Sequence, residues 1–168
     1  MIGKRKGFTL IEMVVVTIVL GLVITIAVVA VSDYIKKSRK DTYISNAHEY
    51  ISIASTMLAK QEFVVRDSNT TYYIHINNLD TEKELNESPY GEWEDAYVVV
   101  TIDGGTNNFN YYWTSVDSKG YRVDLVNESD LDSNDVYHSN NLTIDTNQKI
   151  GNREKIVVYD KDGNRNIK

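Results

Sequence analysis

Residues 8–31 form a run of 24 in which nearly every side chain is apolar or small, and near its start sits a carboxylate, Glu12. As a helix rising about 1.5 Å per residue, the run is about 36 Å long, enough to cross a hydrocarbon layer of about 30 Å. It predicts a membrane-crossing helix. Flanking charge does not set its direction, because Lys4, Arg5 and Lys6 precede it and Lys36, Lys37, Arg39 and Lys40 follow it. An ionised carboxylate inside such a helix costs about 2.5–3.5 kcal/mol at mid-membrane and less near an edge. Glu12 is therefore either an interfacial residue favoured by the positive end of the helix dipole, or a residue with a cationic partner. No basic side chain lies within the run. Cleavage between Gly7 and Phe8 would create an α-ammonium one turn away. The geometry is poor within one chain but good between staggered copies. A second reading of the same stretch is an ordinary secretory signal, cut after the small residues Val28-Val29-Ala30 to release a protein starting at Val31.

The remainder of the 168-residue chain is polar and acidic. Net charge is −6, and removal of the three leader cations lowers it to −9. That balance disfavours general binding to nucleic acid or anionic lipid. There is no cysteine, so a disulfide framework and Cys-based zinc or redox sites are excluded. The water-facing part must hold by packing alone.

The string Lys6-Gly7-Phe8-Thr9-Leu10-Ile11-Glu12, after a short basic leader and before an uninterrupted apolar run, resembles the class III signal of type IV pilins and pseudopilins. The resemblance implies a cut between Gly7 and Phe8 by a prepilin peptidase, usually with N-methylation of the new first residue. It further implies that Glu12 pairs with the N-terminus of an adjacent subunit, and that Gly21 is a weak point of the helix on assembly. Val29 stands where many pilins carry proline, a departure from the pattern. The implied partners are copies of the same chain in a helical filament, the peptidase, an assembly ATPase and an inner-membrane platform protein. The implied location is the cytoplasmic membrane as a single-pass precursor, then a pilus on the cell surface serving adhesion, motility or biofilm. A minor pilin or pseudopilin of a DNA-uptake or secretion filament shares every one of these features. A secreted or membrane-tethered binding domain is the alternative from another class.

Beyond the run, Ile44, Ala47, Ile51, Ala54 and Leu58 follow at intervals of 3, 4, 3 and 4, with Tyr43, Tyr50 and Met57 beside them. This is one apolar face of a helix. With no proline or glycine over 22–62, one helix is expected from residue 8 to about 62, on the order of 80 Å long. A polar connection, the apolar patch Tyr72-Tyr73-Ile74-His75-Ile76 and a short helix near 80–86 come next. Ser88-Pro89-Tyr90-Gly91 is a turn, similar to one in pilins of single-membrane (Gram-positive) bacteria. Strand patterns at 96–102, 109–115 and 121–126, joined by Gly-rich turns, predict an antiparallel meander, and 155–159 a further strand. The fold class is α+β: the type IV pilin fold, a long N-terminal helix packed on a C-terminal antiparallel sheet. Its divisions are a leader (1–7), a transmembrane or filament-core helix (8–31), an amphipathic continuation (32–62) and a connecting loop, sheet and tail (63–168). The tail after residue 127 must be held by strand pairing or a bound ion.

No nucleophile motif, phosphate loop or nucleotide fingerprint is present, so enzymatic activity is not expected. His48, His75 and His138 lack metal-ligand spacing. Asp130, Asp132, Asp135 and Asp145 are weak calcium candidates that match no EF-hand loop; a solvated acidic loop without cofactor is the expectation. In Tyr111-Tyr112-Trp113, successive side chains of a strand point to opposite faces, so one side should pack on the helix.

Overall fold

The computed structural model describes residues 7–79, 87–106 and 108–168. The leader cations and the short helix expected near 80–86 lie outside these residues. A first compact unit ends at Ser38 and a second spans Arg39–Lys168.

Helix α1, Leu10–Ala59, contributes to both units. In the first unit its apolar side chains are exposed within the chain, among them Leu10, Ile18 and Ile26. The hydroxyls of Thr17 and Thr25 donate to the carbonyls of Met13 and Gly21, at 2.5 and 2.8 Å. The helix thus satisfies its own polar side chains along the apolar run, as a low-dielectric surrounding requires.

In the second unit α1 lies across one face of a sheet. Tyr43, Ile44, Ala47, Tyr50, Ile51, Ala54, Met57 and Leu58 are all buried, the whole stripe that the 3–4 spacing marks out. They share a core with Ile74, Val98, Val100, Trp113, Val123 and Val157, and each large side chain so buried contributes about 1.5–3 kcal/mol. Tyr50 stacks on Trp113 at 5.5 Å between centroids. The helix ends three residues before the expected 62. Gln61 adopts a positive φ of 63°, its amide donates to the Leu58 carbonyl and that of Glu62 to the Met57 carbonyl. This is a Schellman arrangement, made by glutamine where glycine is usual.

Among the described residues eight strands form the sheet: β1 Thr70–His75, β2 Glu87–Ser88, β3 Gly91–Ile102, β4 Phe109–Asp117, β5 Tyr121–Asn127, β6 Tyr137–His138, β7 Lys155–Tyr159 and β8 Arg165–Ile167. The order is β6-β5-β4-β3-β1-β7-β8, with β2 paired to β3. The meander β3-β4-β5 matches its sequence pattern. The sheet is antiparallel in all its other pairings, as expected, and β1 pairs with β7 in parallel, Thr70 opposite Lys155 through Ile74 opposite Tyr159. The sheet is mixed because the patch around Tyr72 and Ile74 is an interior strand with every residue buried. Its far side, beyond β3, is filled by a segment from the end of the chain. That insertion, with β8 folded back on β7, fastens the tail by strand pairing.

The two sheet faces carry separate cores. Tyr72, Ile74, Val98, Val100, Trp113 and Val157 face α1. Tyr73, Tyr97, Val99, Ile156 and Val158 face the other way, packed by Tyr112, Leu125, Ile144 and Ile150. The Tyr111-Tyr112-Trp113 triplet alternates as expected: Tyr111 and Trp113 meet the helix face and Tyr112 the other. The turns at one end of the sheet are tied by Asp117, fully buried, whose carboxylate accepts from the amides of Lys119 and Tyr121 and from the Ser88 hydroxyl.

Candidate functional site

The carboxylate that the sequence singles out lies at the first turn of α1. Thr9 precedes the helix, and its amide and hydroxyl both donate to Glu12 Oε2 at 2.7 Å. In return the Glu12 amide donates to Thr9 Oγ1 at 3.3 Å. This is a reciprocal capping box, which satisfies donors that a helix start leaves without partners. A cap of this kind is worth about 1 kcal/mol. Both Thr9 bonds fall on Oε2, and among the described residues no hydrogen bond is made to Glu12 Oε1. Phe8, Ile11, Glu12, Val15 and Val16 line one shallow groove, with Phe8 79% exposed. Gly7 has open space around it, as does Gly21, where α1 continues unbroken through Gly21 and Val29.

Thr9 is the residue that sequence reasoning passed over. Its signal was present: Thr-x-x-Glu immediately before an apolar run is the capping-box pattern.

The acidic candidates do not gather. Asp132 and Asp135 cap one 3-10 turn, Ser133–Asp135, by accepting from each other's neighbourhood: Asp132 Oδ1 from the Asn134 amide and Asp135 Oδ2 from the Asp132 amide. Asp130 accepts from the Ser129 hydroxyl at 3.3 Å. Asp145 belongs to a separate turn, accepting from the amide of Asn147 at 2.9 Å. Among the described residues no three His, Cys, Asp or Glu side chains converge on a point that a metal ion could occupy. The histidines are equally dispersed. His48 is exposed on α1, and His138 stands edge-on to Tyr121. His75 is buried between two partners, accepting from the Asn77 amide at Nδ1 and facing Asp95 Oδ1 from Nε2 at 3.3 Å. With both ring nitrogens engaged, His75 has a structural role.

The site is thus an N-terminal signal followed by a capped apolar helix, and the described chain provides no partner for that helix's outer surface. The prokaryotic N-terminal methylation motif matches residues 2–28, and this segment is the class III signal of type IV pilins and pseudopilins. No curated protein and no solved structure matches the chain. Such a motif implies handling of the N-terminus by a prepilin peptidase, and the apolar helix, long enough to cross a membrane, fits a membrane-anchored precursor.

Proposed function

We propose that the chain is the structural subunit of a type IV pilus filament. It is held in the cytoplasmic membrane by residues 8–31, trimmed between Gly7 and Phe8, methylated at Phe8, and drawn into a helical stack of copies by an ATPase acting through a membrane platform. The observation that carries the reading is the apolar half of α1, exposed along its length within its own chain and opening on a single carboxylate. A helix apolar on all sides needs either lipid or other apolar helices around it. Exchanging the first for the second is assembly.

In this reading Thr9 holds Glu12 by Oε2 while Oε1 takes the Phe8 ammonium of an adjacent copy. An unpaired carboxylate in an apolar layer is costly, so the pairing fixes the axial register of each incoming subunit. Gly21, about 1 kcal/mol less favourable in a helix than alanine, marks where α1 yields most easily to a neighbour. The filament serves adhesion, motility or biofilm through the exposed surface of the second unit.

Two measurements test this. The N-terminal sequence and intact mass of the protein from its native cell envelope should show a start at Phe8 with one added methyl group; a start at Val31 removes Glu12 from the mature protein and sinks the proposal. Glu12→Ala loses a charge-assisted bond of about 1.5–3 kcal/mol, which lowers incorporation about 10- to 100-fold. Sheared filaments should fall accordingly while the second unit stays folded.

A further inference from the structure

The sheet of the second unit ends in two edges of opposite charge. One consists of β5, β6 and the loop between them. Over residues 121–138 the chain has five carboxylates, Asp124, Glu128, Asp130, Asp132 and Asp135, against one cation, Arg122. The other edge is β7 and β8. β7, β8 and the residues joining and following them, 155–168, carry four Lys or Arg against two Asp, a net charge of +2 facing −4. Strand order puts β6 and β8 at opposite ends of the sheet, so the charge is separated across its width.

Local partners do not cancel this separation. Asp124 is neutralised, since Arg122 donates to its Oδ1 at 2.7 and 3.0 Å and Tyr137 to its Oδ2 at 2.6 Å. Glu128, Asp130, Asp132 and Asp135 enter none of the ion pairs among the described residues, and the donors to Asp130, Asp132 and Asp135 are neutral amides and a hydroxyl. At the other edge Lys155 is paired with Asp67 at 3.2 Å. Lys161 and Arg165 are exposed and enter no ion pair among the described residues.

The β8 edge also has backbone to offer. Ile156 and Lys168 exchange both of their backbone bonds, and the Asp160 amide donates to the Asn164 carbonyl. By the alternation of an antiparallel ladder, Arg165 and Ile167 then turn their N–H and C=O groups away from β7. Such an edge is a template for another strand. Its own cations reject a second copy of the same edge and admit an acidic one.

We propose that the acidic β5–β6 edge of one copy docks against the basic β7–β8 edge of the next. The contact rests on the filament reading above, in which many copies stand side by side. It is heterologous, one patch meeting a different patch, so it leaves a free edge of each kind and propagates in an open series with a fixed direction. Its charges are exposed, so it weakens as salt shortens the screening length below about 8 Å.

The absence of cysteine makes the contact directly testable in the full chain. Asp130→Cys is combined in one chain with Arg165→Cys, and in another with Lys168→Cys, and sheared filaments are oxidised and run without reductant. A ladder of covalent multimers from either double variant, with monomer from each single variant, is the expected result. Filaments that yield no ladder from either pair overturn the contact alone. Absence of filaments from the unaltered chain overturns the subunit reading, and the contact with it. Independently, the pair Lys161→Glu and Arg165→Glu should lower filament yield about two- to tenfold. Adding Glu128→Lys and Asp130→Lys to that chain should restore it; failure of this charge swap to restore yield counts against the contact.

Discussion

The two halves of α1 are one continuous helix with opposite relations to their surroundings. From Leu10 to Val29 the large apolar side chains are exposed, whichever way they point around the axis. From Tyr43 to Leu58 only one stripe is apolar, and it is buried against the sheet of the same chain. The difference shows how the pattern of apolar residues, more than their number, sets the partner of a helix. A stripe is satisfied by one neighbour, here the chain's own sheet. An apolar surface on every side is satisfied only by a medium or by several neighbours.

Mutations that act on one half and spare the other test this contrast most sharply. Trp113 is fully buried, stacked on Tyr50 and bonded through Nε1 to Ser115. Trp113→Ala should cost about 3–5 kcal/mol in the denaturant unfolding of the second unit. Ile18→Ala, in the exposed half, should leave that transition within about 0.5 kcal/mol of the parent. Equal losses from the two would erase the distinction.

Alkaline pH should strike the same half. Burial pushes the phenols of Tyr50 and Tyr73 up to about 12, and the nearby Asp145 carboxylate adds to the effect at Tyr73. Burial also raises Tyr43 and Tyr97. An acid whose folded value is raised stays neutral in the native state while the unfolded chain ionises first. Its contribution is therefore complete below about pH 10, the unfolded value, and is lost as pH climbs from there through about 12. Melting temperature followed by near-ultraviolet circular dichroism should be flat below pH 9 and fall steadily above 10, whereas helicity of residues 10–29 in detergent should not follow that fall.

Smaller effects are expected at the two ends of α1. Thr9→Ala removes the capping box and should cost the first turn about 1 kcal/mol, read as roughly fivefold faster amide exchange at residues 10–13 in micelles. At the other end Gln61→Gly relieves a side chain held at positive φ and should stabilise the second unit by about 1 kcal/mol. A stabilisation at Gln61 that also slowed exchange in the first turn would show that the halves are energetically coupled.

Much of this fold is readable from local pattern. The buried stripe of α1 follows from intervals of 3 and 4, and the meander follows from alternating strands punctuated by Asp103-Gly104-Gly105 and Asp117-Ser118-Lys119-Gly120. The Gly7-Phe8 junction and Glu12 are visible because a charge inside an apolar run is conspicuous. Thr9 was legible but quiet, since a threonine beside such a run draws attention only when read together with the glutamate three residues on. β1 was not legible as a central strand. Buried on both faces, it shows no alternation, and a short continuous apolar patch does not declare its partners. Its pairing with β7 spans more than 80 residues, beyond the reach of any local signal.

The sequence by itself therefore determined the parts of this protein that depend on near neighbours: the N-terminal methylation motif, the apolar helix that needs company, the amphipathic stripe and the hairpins. Helical periodicity, capping and turn chemistry all act within a few residues. Only the tertiary structure decided that the tail enters the sheet beside β1 in parallel, that the sheet carries a second core on its far face, and that the acidic stretch 121–138 and the basic stretch 155–168 end on opposite edges. Strand order fixes each of these, and it is set by which long-range pairing buries the most apolar surface once the whole chain has collapsed.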